Sequence, residues 1–251
     1  RSRPGRALSP MSVDEAILWD RLSRSRRAPV EPSWLEESYS SSLSADLRRA
    51  LCEKLGSLAD RGWPIILRLL HRHGDQNELI LAAGLCHQRE ARDWLLQRLH
   101  EPSHLNDDHL CVLQALSCWG ADVPESVLHA CLQHPGLQHR LTGLQLISFR
   151  AHTLTDQQLL AYCADLLNDC RDPLVISTIR VLQRRDGEAI SECLAELCRS
   201  NSLVIAEAAF RALGCIATPV SQRLLQELSA SPEDPTRQEL AHRQLNQQFR
   251  S

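Results

Sequence analysis

The sequence predicts an all-α fold, a right-handed α-solenoid of about six helix pairs. Three observations carry that expectation. Apolar residues recur at helical spacing rather than in alternation. Aromatic residues make up only 4% of the 251-residue chain, against 43% hydrophobic residues in which Leu and Ala recur, the reverse of what strands favour. A helix–turn–helix plan also returns about every thirty residues, the mark of an array whose thin units must stack to bury their apolar faces.

Residues 1–43 read as an N-terminal arm. The opening RSRPGRALSP precedes the only methionine, Met11, where the natural start is expected. That opening has no apolar core and is no secretory signal, and three acids soon after it argue against a transit peptide. Ser12 and Glu15 have the spacing to cap a short helix to about Leu22. Residues 23–33 (SRSRRAPVEPS) read as a linker and Ser38 to Ser44 as a Ser-rich approach to the array. Trp19 or Trp34 is placed to dock the arm over the first repeat.

Residues 44–251 read as the array with a terminal capping helix. Its pairs run Leu51 to Gly56 with Pro64 to Leu70, Leu79 to Gly84 with Ala91 to Leu99, and Leu110 to Trp119 with Pro124 to Leu132. They continue with Leu141 to Ile147 and Leu159 to Leu167, Val175 to Leu182 and Ile190 to Leu197, and Val204 to Gly214 and Val220 to Leu228. Anchors at Leu55, Ala83, Leu116, Leu146, Val181 and Leu213 are spaced by 28, 33, 30, 35 and 32 residues. In the fifth unit Val175, Ile176, Ile179, Val181 and Leu182 form one apolar stripe, and Leu194 with Leu197 a second. Helix starts are marked by Asp172-Pro173, by Thr155 with Gln158 and Asp122 with Glu125 at capping-box spacing, and by Ser231-Pro232 before a last helix to about Gln247.

The A-A-x-x-A-L-G pattern at Ala208 to Gly214, and the A-x-x-x-L-L-x-x-L pattern at Ala91 to Leu99, resemble HEAT-like repeats. The short period is similar to that of the phycobilisome-lyase repeats of the E/F type. The resemblance covers roughly residues 44–230. Ser117 and Ile147 depart from it, standing where the pattern has Gly. What it implies is a protein-binding scaffold or chaperone-like adaptor working through a groove, with a phycobiliprotein subunit as one class of partner. The alternative it implies is a lyase or lyase subunit that attaches an open-chain tetrapyrrole to a phycobiliprotein cysteine. Enzyme activity stays open between the two. The scaffold needs no cofactor, and the alternative would hold a bilin.

Charge and cysteine usage narrow the partners. The formal charge is −3, which argues against a nucleic-acid-binding domain as a whole. Residues 1–27 carry seven Arg against Asp14, Glu15 and Asp20, so a basic arm precedes an acidic array. No apolar run reaches the length of about 18 residues that a membrane span needs. Neither nucleic acid nor membrane is expected as a partner. The ten Cys contain no CxxC pair and read as small apolar core residues in a reducing cytoplasm.

Chemistry-bearing patterns are sparse. There is no GxSxG, GxxxxGK[ST], GxGxxG or HExxH. The repeated His-Glu dyads by which HEAT-like di-iron hydroxylases are recognised are also missing. Ten of eleven His fall between His71 and His152, but His100 with His104 and Cys131 with His134 make pairs, and a metal needs three or four convergent ligands. No metal site is expected. Glu36-Glu37 and Asp107-Asp108 read as solvated helix starts. The candidate binding residues lie at turns: Arg89 and Arg92 in the second unit, Arg184, Arg185 and Asp186 in the fifth, and Trp119 in the third. Arg suits the propionates or carboxylates of a ligand or partner, Trp119 a stacking surface and Asp186 pyrrole nitrogens. Asp186 equally fits the N-cap of the following helix.

Overall fold

The structure, a computed structural model, describes residues 13–99, 105–231 and 233–248. These form fifteen α-helices and, among the described residues, no strand. The chain divides into two compact units. One holds the described residues up to Ala121 except Leu105, and the other holds Leu105 and those from Asp122 onward.

The first unit contains α1 (Val13–Ser23), α2 (Pro32–Ser38), α3 (Ala45–Ser57), α4 (Trp63–His73), α5 (Asn77–Leu85), α6 (Arg89–Gln97) and α7 (Asp107–Trp119). Helices α3, α5 and α7 lie side by side, and α4 and α6 pack against them as a second layer. The stacking depends on small residues. Ala82, Ala83 and Ala115 have no exposed surface, and a Cβ added at Gly84 would lie 2.1 Å from the Ala115 carbonyl oxygen. Helix α7 is bounded at both ends by local chemistry. Asn106 and His109 form a reciprocal capping box, and Gly120 closes the C-terminus in the left-handed region at φ 77°, a conformation that costs other residues more.

The N-terminal segment holds more structure than a linker. Helix α2 runs from the end of the expected linker to the start of the Ser-rich approach, and its Leu35 is fully buried, with Val30 and Tyr39 buried at its two ends. Seven residues are too few for periodicity to reveal a helix. Glu36, expected to be solvated, instead accepts from Arg68 Nε at 3.0 Å and Nη2 at 2.7 Å and pairs with Arg72 at 3.6 Å. The hydrogen bond from Arg68 holds its carboxyl below the usual range. Arg21 stacks 4.3 Å over the Trp34 ring, and Trp19 packs beside Ala50 and Lys54 of α3. Ser12 lies outside the described residues; Glu15 accepts the Ser44 N–H at 2.8 Å.

The second unit contains α8 (Glu125–Gln133), α9 (Leu137–Arg150), α10 (Asp156–Leu167), α11 (Asp172–Leu182), α12 (Glu188–Leu197), α13 (Leu203–Ile216), α14 (Pro219–Ser229) and α15 (Pro235–Gln248). Helices α9, α11, α13 and α15 stack in one layer and α8, α10, α12 and α14 in the other. Helices meet the next-but-one helix as well as their pair partner, which is how a repeat array builds a core that no single pair could bury. The protein is therefore an all-helical repeat protein with pairs of the HEAT-like style. The expected segments of all six pairs fall on helices, but α7 and α8, the third pair, belong to different units.

Several local expectations shift. The Thr155–Gln158 capping box forms, with hydrogen bonds of 2.9 and 3.2 Å. The cap expected from Asp122 and Glu125 does not: Pro124 is the N-cap of α8, and Asp122 instead accepts from Arg150 Nε at 2.9 Å. Asp172 is the first residue of α11 rather than its cap, and it accepts the Ser202 hydroxyl at 2.9 Å. Helix α15 starts at Pro235, after Asp234, whose carboxylate accepts the Thr236 and Arg237 N–H groups at 3.0 and 3.1 Å. Pro232 lies outside the described residues. The buried stripe of α11 is Leu174, Val175, Thr178, Ile179 and Leu182, and Thr178 takes a core position by bonding back to the Leu174 carbonyl at 2.8 Å.

A buried carboxylate ties two turns of this unit together. Asp169, with 5% of its side chain exposed, accepts from Arg171 Nε at 2.8 Å and Nη2 at 2.7 Å and from Arg140 Nη1 at 3.0 Å. The same two Arg donate to the His134 and Pro135 carbonyls of the α8–α9 turn at 2.8 and 3.1 Å.

Two predictions follow from this packing. Gly84→Ala should lower the unfolding free energy by about 1–3 kcal/mol, because backbone rather than a flexible side chain stands in the way; urea denaturation measures it. For Asp169, the Arg171 hydrogen bonds and the Arg140 charge hold the folded carboxyl well below the usual range. Its contribution is therefore complete above the unfolded value of about 4 and declines as pH falls below it. Asp169→Asn should cost about 2 kcal/mol at neutral pH, and the gap between wild type and variant should close steadily in denaturation series taken below pH 4. A gap independent of pH would show that the carboxylate charge is not what holds the turns.

Candidate functional site

The expected turn residues separate into exposed and committed groups. In the first unit, Trp119 donates its indole Nε1–H to the Gln88 carbonyl at 2.9 Å, fastening the end of α7 to the residue that precedes α6. The Arg92 guanidinium lies 5.2 Å from the Trp119 ring centroid, and the His87 ring stacks 6.5 Å away. Arg92 also pairs with Asp93 at 2.9 Å. Arg92 and Trp119 thus come together as expected, but in a contact that already gives each a partner. Arg89, the first residue of α6, is exposed.

The fifth-unit set divides the same way. Arg185 Nη2 donates to the Ala151 and Leu154 carbonyls at 2.5 and 2.6 Å, and Nη1 pairs with Asp156 at 3.2 Å. It staples the end of α11 to the α9–α10 connection. Arg184 and Asp186 are exposed. Gly187, not Asp186, is the N-cap of α12.

A concave surface that no sequence motif announces lies in the first unit. Ala45, Asn77 and Asp107, the first residues of α3, α5 and α7, line a hollow of about 850 Å³ whose wall continues along Ile80, Leu81 and Val112. Four carboxylates, Asp75, Glu78, Asp107 and Asp108, face it against two guanidinium groups, Arg49 and Arg98. Some of that charge is tied up. Arg98 pairs with Asp75 at 3.1 Å and stacks 4.3 Å over Trp94. Glu78 accepts the Tyr39 hydroxyl at 2.8 Å and pairs with Arg48 at 2.9 Å, and burial together with that hydrogen bond drives the Tyr39 phenol upward. Asp107 and Asp108 are exposed on the first turn of α7. Stacking brings these helix starts together from positions some thirty residues apart, and spacing within one helix cannot reveal it.

The cysteines and histidines offer little chemistry. Cys52, Cys86, Cys111, Cys131, Cys163 and Cys198 are buried. Burial pushes the Cys111 thiol up to about 11 and those of Cys131 and Cys163 up to about 12, away from the thiolate that a nucleophile needs. His134 stacks on the buried His139 at 3.7 Å and accepts the Gly136 N–H at 2.9 Å. Among the described residues no three His, Cys, Asp or Glu side chains converge as metal ligands; His100 and His104 lie outside them. No helix among the described residues is long and apolar enough to cross a membrane.

No protein-family model matches the chain, and no curated protein matches it significantly. Several solved structures resemble it, two of them as follows. One is the complex of CpcE and CpcF of phycocyanin lyase from Nostoc sp. PCC7120, with 15% identity, a TM-score of 0.43, and coverage of 90% of this chain and 97% of that one. The other is human deoxyhypusine hydroxylase in complex with glycerol, with 17% identity, a TM-score of 0.40, and coverage of 95% of this chain and 98% of that one. Similarity at this level assigns no function.

The Arg185 staple generates a prediction. Arg185→Lys should destabilise the protein by about 1–3 kcal/mol despite keeping the charge, because an ammonium cannot span two carbonyls and a carboxylate with a planar fork. Arg184→Lys should stay within about 0.5 kcal/mol. Chemical denaturation of the two variants side by side measures the difference.

Proposed function

We propose that the chain is a protein-binding scaffold whose first-unit hollow receives a basic segment of a partner protein. The observation that carries this reading is the excess of carboxylates around a large concavity built from three helix starts. Carboxylates on the first turns of helices interact favourably with the helix dipole, and a polar rim around apolar walls suits an extended segment with Lys or Arg side chains. Arg89, exposed on the first unit, remains in the proposal as an outlying contact, and Arg184, exposed on the second, remains a separate candidate. Trp119 and Arg92 shape the surface beside Arg89. The expected cytoplasmic location belongs to the same reading. The lyase alternative rests on Arg89, Arg92, Arg184, Arg185, Asp186 and Trp119 as bilin-holding groups, and of these Arg92, Arg185 and Trp119 are already engaged within the chain.

Fluorescence anisotropy with short labelled peptides tests the reading. A Lys/Arg-rich peptide should bind saturably and weaken with added salt. The double variant Asp107→Asn/Asp108→Asn should reduce that affinity about tenfold or more while lowering stability by no more than about 2 kcal/mol, the two lost helix-dipole interactions. Equal binding of an Asp/Glu-rich peptide, or indifference to the double variant, would refute the assignment. A stable visible absorbance after incubation with an open-chain tetrapyrrole would favour the lyase instead.

A further inference from the structure

A second concavity, in the second unit, has a different composition. It encloses about 540 Å³ and is lined by residues of α8, α9 and α10 and the α9–α10 connection, among them Asp122, Glu125, His129, Arg150 and Tyr162. Its centre is an aromatic pair. The rings of His129 and Tyr162 stack with centroids 5.0 Å apart and planes inclined by 29°. Glu125 is fixed at their edge: its Oε1 accepts the Tyr162 hydroxyl at 3.0 Å and lies 3.4 Å from His129 Nε2. These contacts, the Tyr162 bond foremost, keep the Glu125 carboxyl ionised below the usual range. Both contacts use Oε1.

Arg150 supplies one positive charge, close enough to act on both Glu125 and Tyr162, but its strongest contacts lie elsewhere. Its Nε donates to Asp122 Oδ1 at 2.9 Å and its Nη2 to the Val123 carbonyl, and only 19% of the side chain is exposed. Two carboxylates, Asp122 and Glu125, stand in the pocket against the single guanidinium of Arg150. Glu125 and Asp122 are 68% and 69% exposed, so the charge is within reach of a ligand. An anion would meet both carboxylates, whereas a flat cation would meet aromatic faces and open carboxylate oxygens together.

The rest of the chain shows which cation such surfaces take. Arg98 lies 4.3 Å over Trp94 and pairs with Asp75, and Arg92 lies 5.2 Å from Trp119 and pairs with Asp93. Both are an aromatic ring with a carboxylate nearby, covered by the chain's own guanidinium. The Tyr162–His129 stack with Glu125 repeats that arrangement, and among the described residues no cation stacks on it. We infer that the pocket between α8, α9 and α10 binds a guanidinium group from outside the chain, stacked on an outer face of the Tyr162–His129 pair and bonded to Glu125. The inference stands on the second unit alone, so its failure leaves the first-unit hollow untouched.

Two-dimensional NMR of the whole chain, titrated with free L-arginine and separately with a Gly-Arg-Gly tripeptide, tests it. Saturable shifts at His129 and Tyr162 are expected with either probe, with Kd on the order of 1 mM. Tighter binding of the tripeptide assigns the site to a peptide and tighter binding of arginine to a free metabolite; both support a guanidinium site. Glu125→Gln should weaken binding about tenfold, whereas Tyr162→Phe, which keeps the ring, should stay within about threefold of wild type and Tyr162→Ala should fall below it. Asp122→Asn provides a second charge variant should Glu125→Gln shift the thermal transition. The inference is overturned if neither arginine probe saturates, if Glu125→Gln binds like wild type, or if N-acetyl-glutamate binds more tightly than arginine.

Discussion

Close approach of stacked helices is the constraint on which the rest of this protein depends. No single helix pair has enough apolar surface to fold alone, so each must press against the next. In the first unit that pressure falls on Ala82, Ala83, Gly84 and Ala115, where even one added Cβ meets backbone. In the second unit Ala206, Ala209 and Ala212 of α13 are equally buried. Small residues at these positions explain why aromatics are scarce: a bulky ring on the stacking face would hold the backbones apart. Six buried cysteines serve the same purpose, as compact side chains a little larger than Ala.

Stacking aligns the helices but leaves the turns at their ends with unpaired carbonyls. Arginine resolves this repeatedly. Arg48 donates to the Ser41 carbonyl, Arg140 to that of His134, Arg171 to that of Pro135, and Arg150 to that of Val123. Arg185 reaches the carbonyls of Ala151 and Leu154, and Arg237 those of Cys198 and Ser200. Arg150, Arg171, Arg185 and Arg237 span 27 to 39 residues, about one repeat, so one guanidinium fastens a turn to its predecessor. A planar fork with five donors suits that task and a flexible ammonium does not, which gives the near absence of Lys, with Lys54 alone, a structural reading.

These two devices also mark how far the sequence is legible. Helix pairing shows in it because the apolar period and the Ala-rich first helices are local. All six expected pairs fall on helices, and the Thr155–Gln158 box forms where its spacing places it. Helix α2 is illegible because seven residues offer less than two full turns of pattern, and its stability comes from Leu35 burial and the Glu36–Arg68 pair, both long-range. Thr178 is misread for a related reason: a hydroxyl counts as polar in a pattern, yet the Leu174 carbonyl satisfies it in the core. The Asp122–Glu125 spacing is right for a cap, but a guanidinium from α9 outcompetes the backbone amides for Asp122.

The turn arginines show why the candidate site was the least legible part. From sequence, an Arg at a solenoid turn is a free cation awaiting an anion. In the folded chain its first available acceptors are the carbonyls of the adjacent turn, which cost free energy if buried without a donor. A guanidinium that reaches them is no longer available to a ligand, and this is the fate of Arg185. What remains accessible is the complementary charge. Carboxylates at helix starts need no distant partner, because the backbone N–H groups and the helix dipole stabilise them in place. An array that uses its arginines as internal staples therefore exposes its acids, and its concave surfaces present carboxylates as a consequence of how the fold holds itself together.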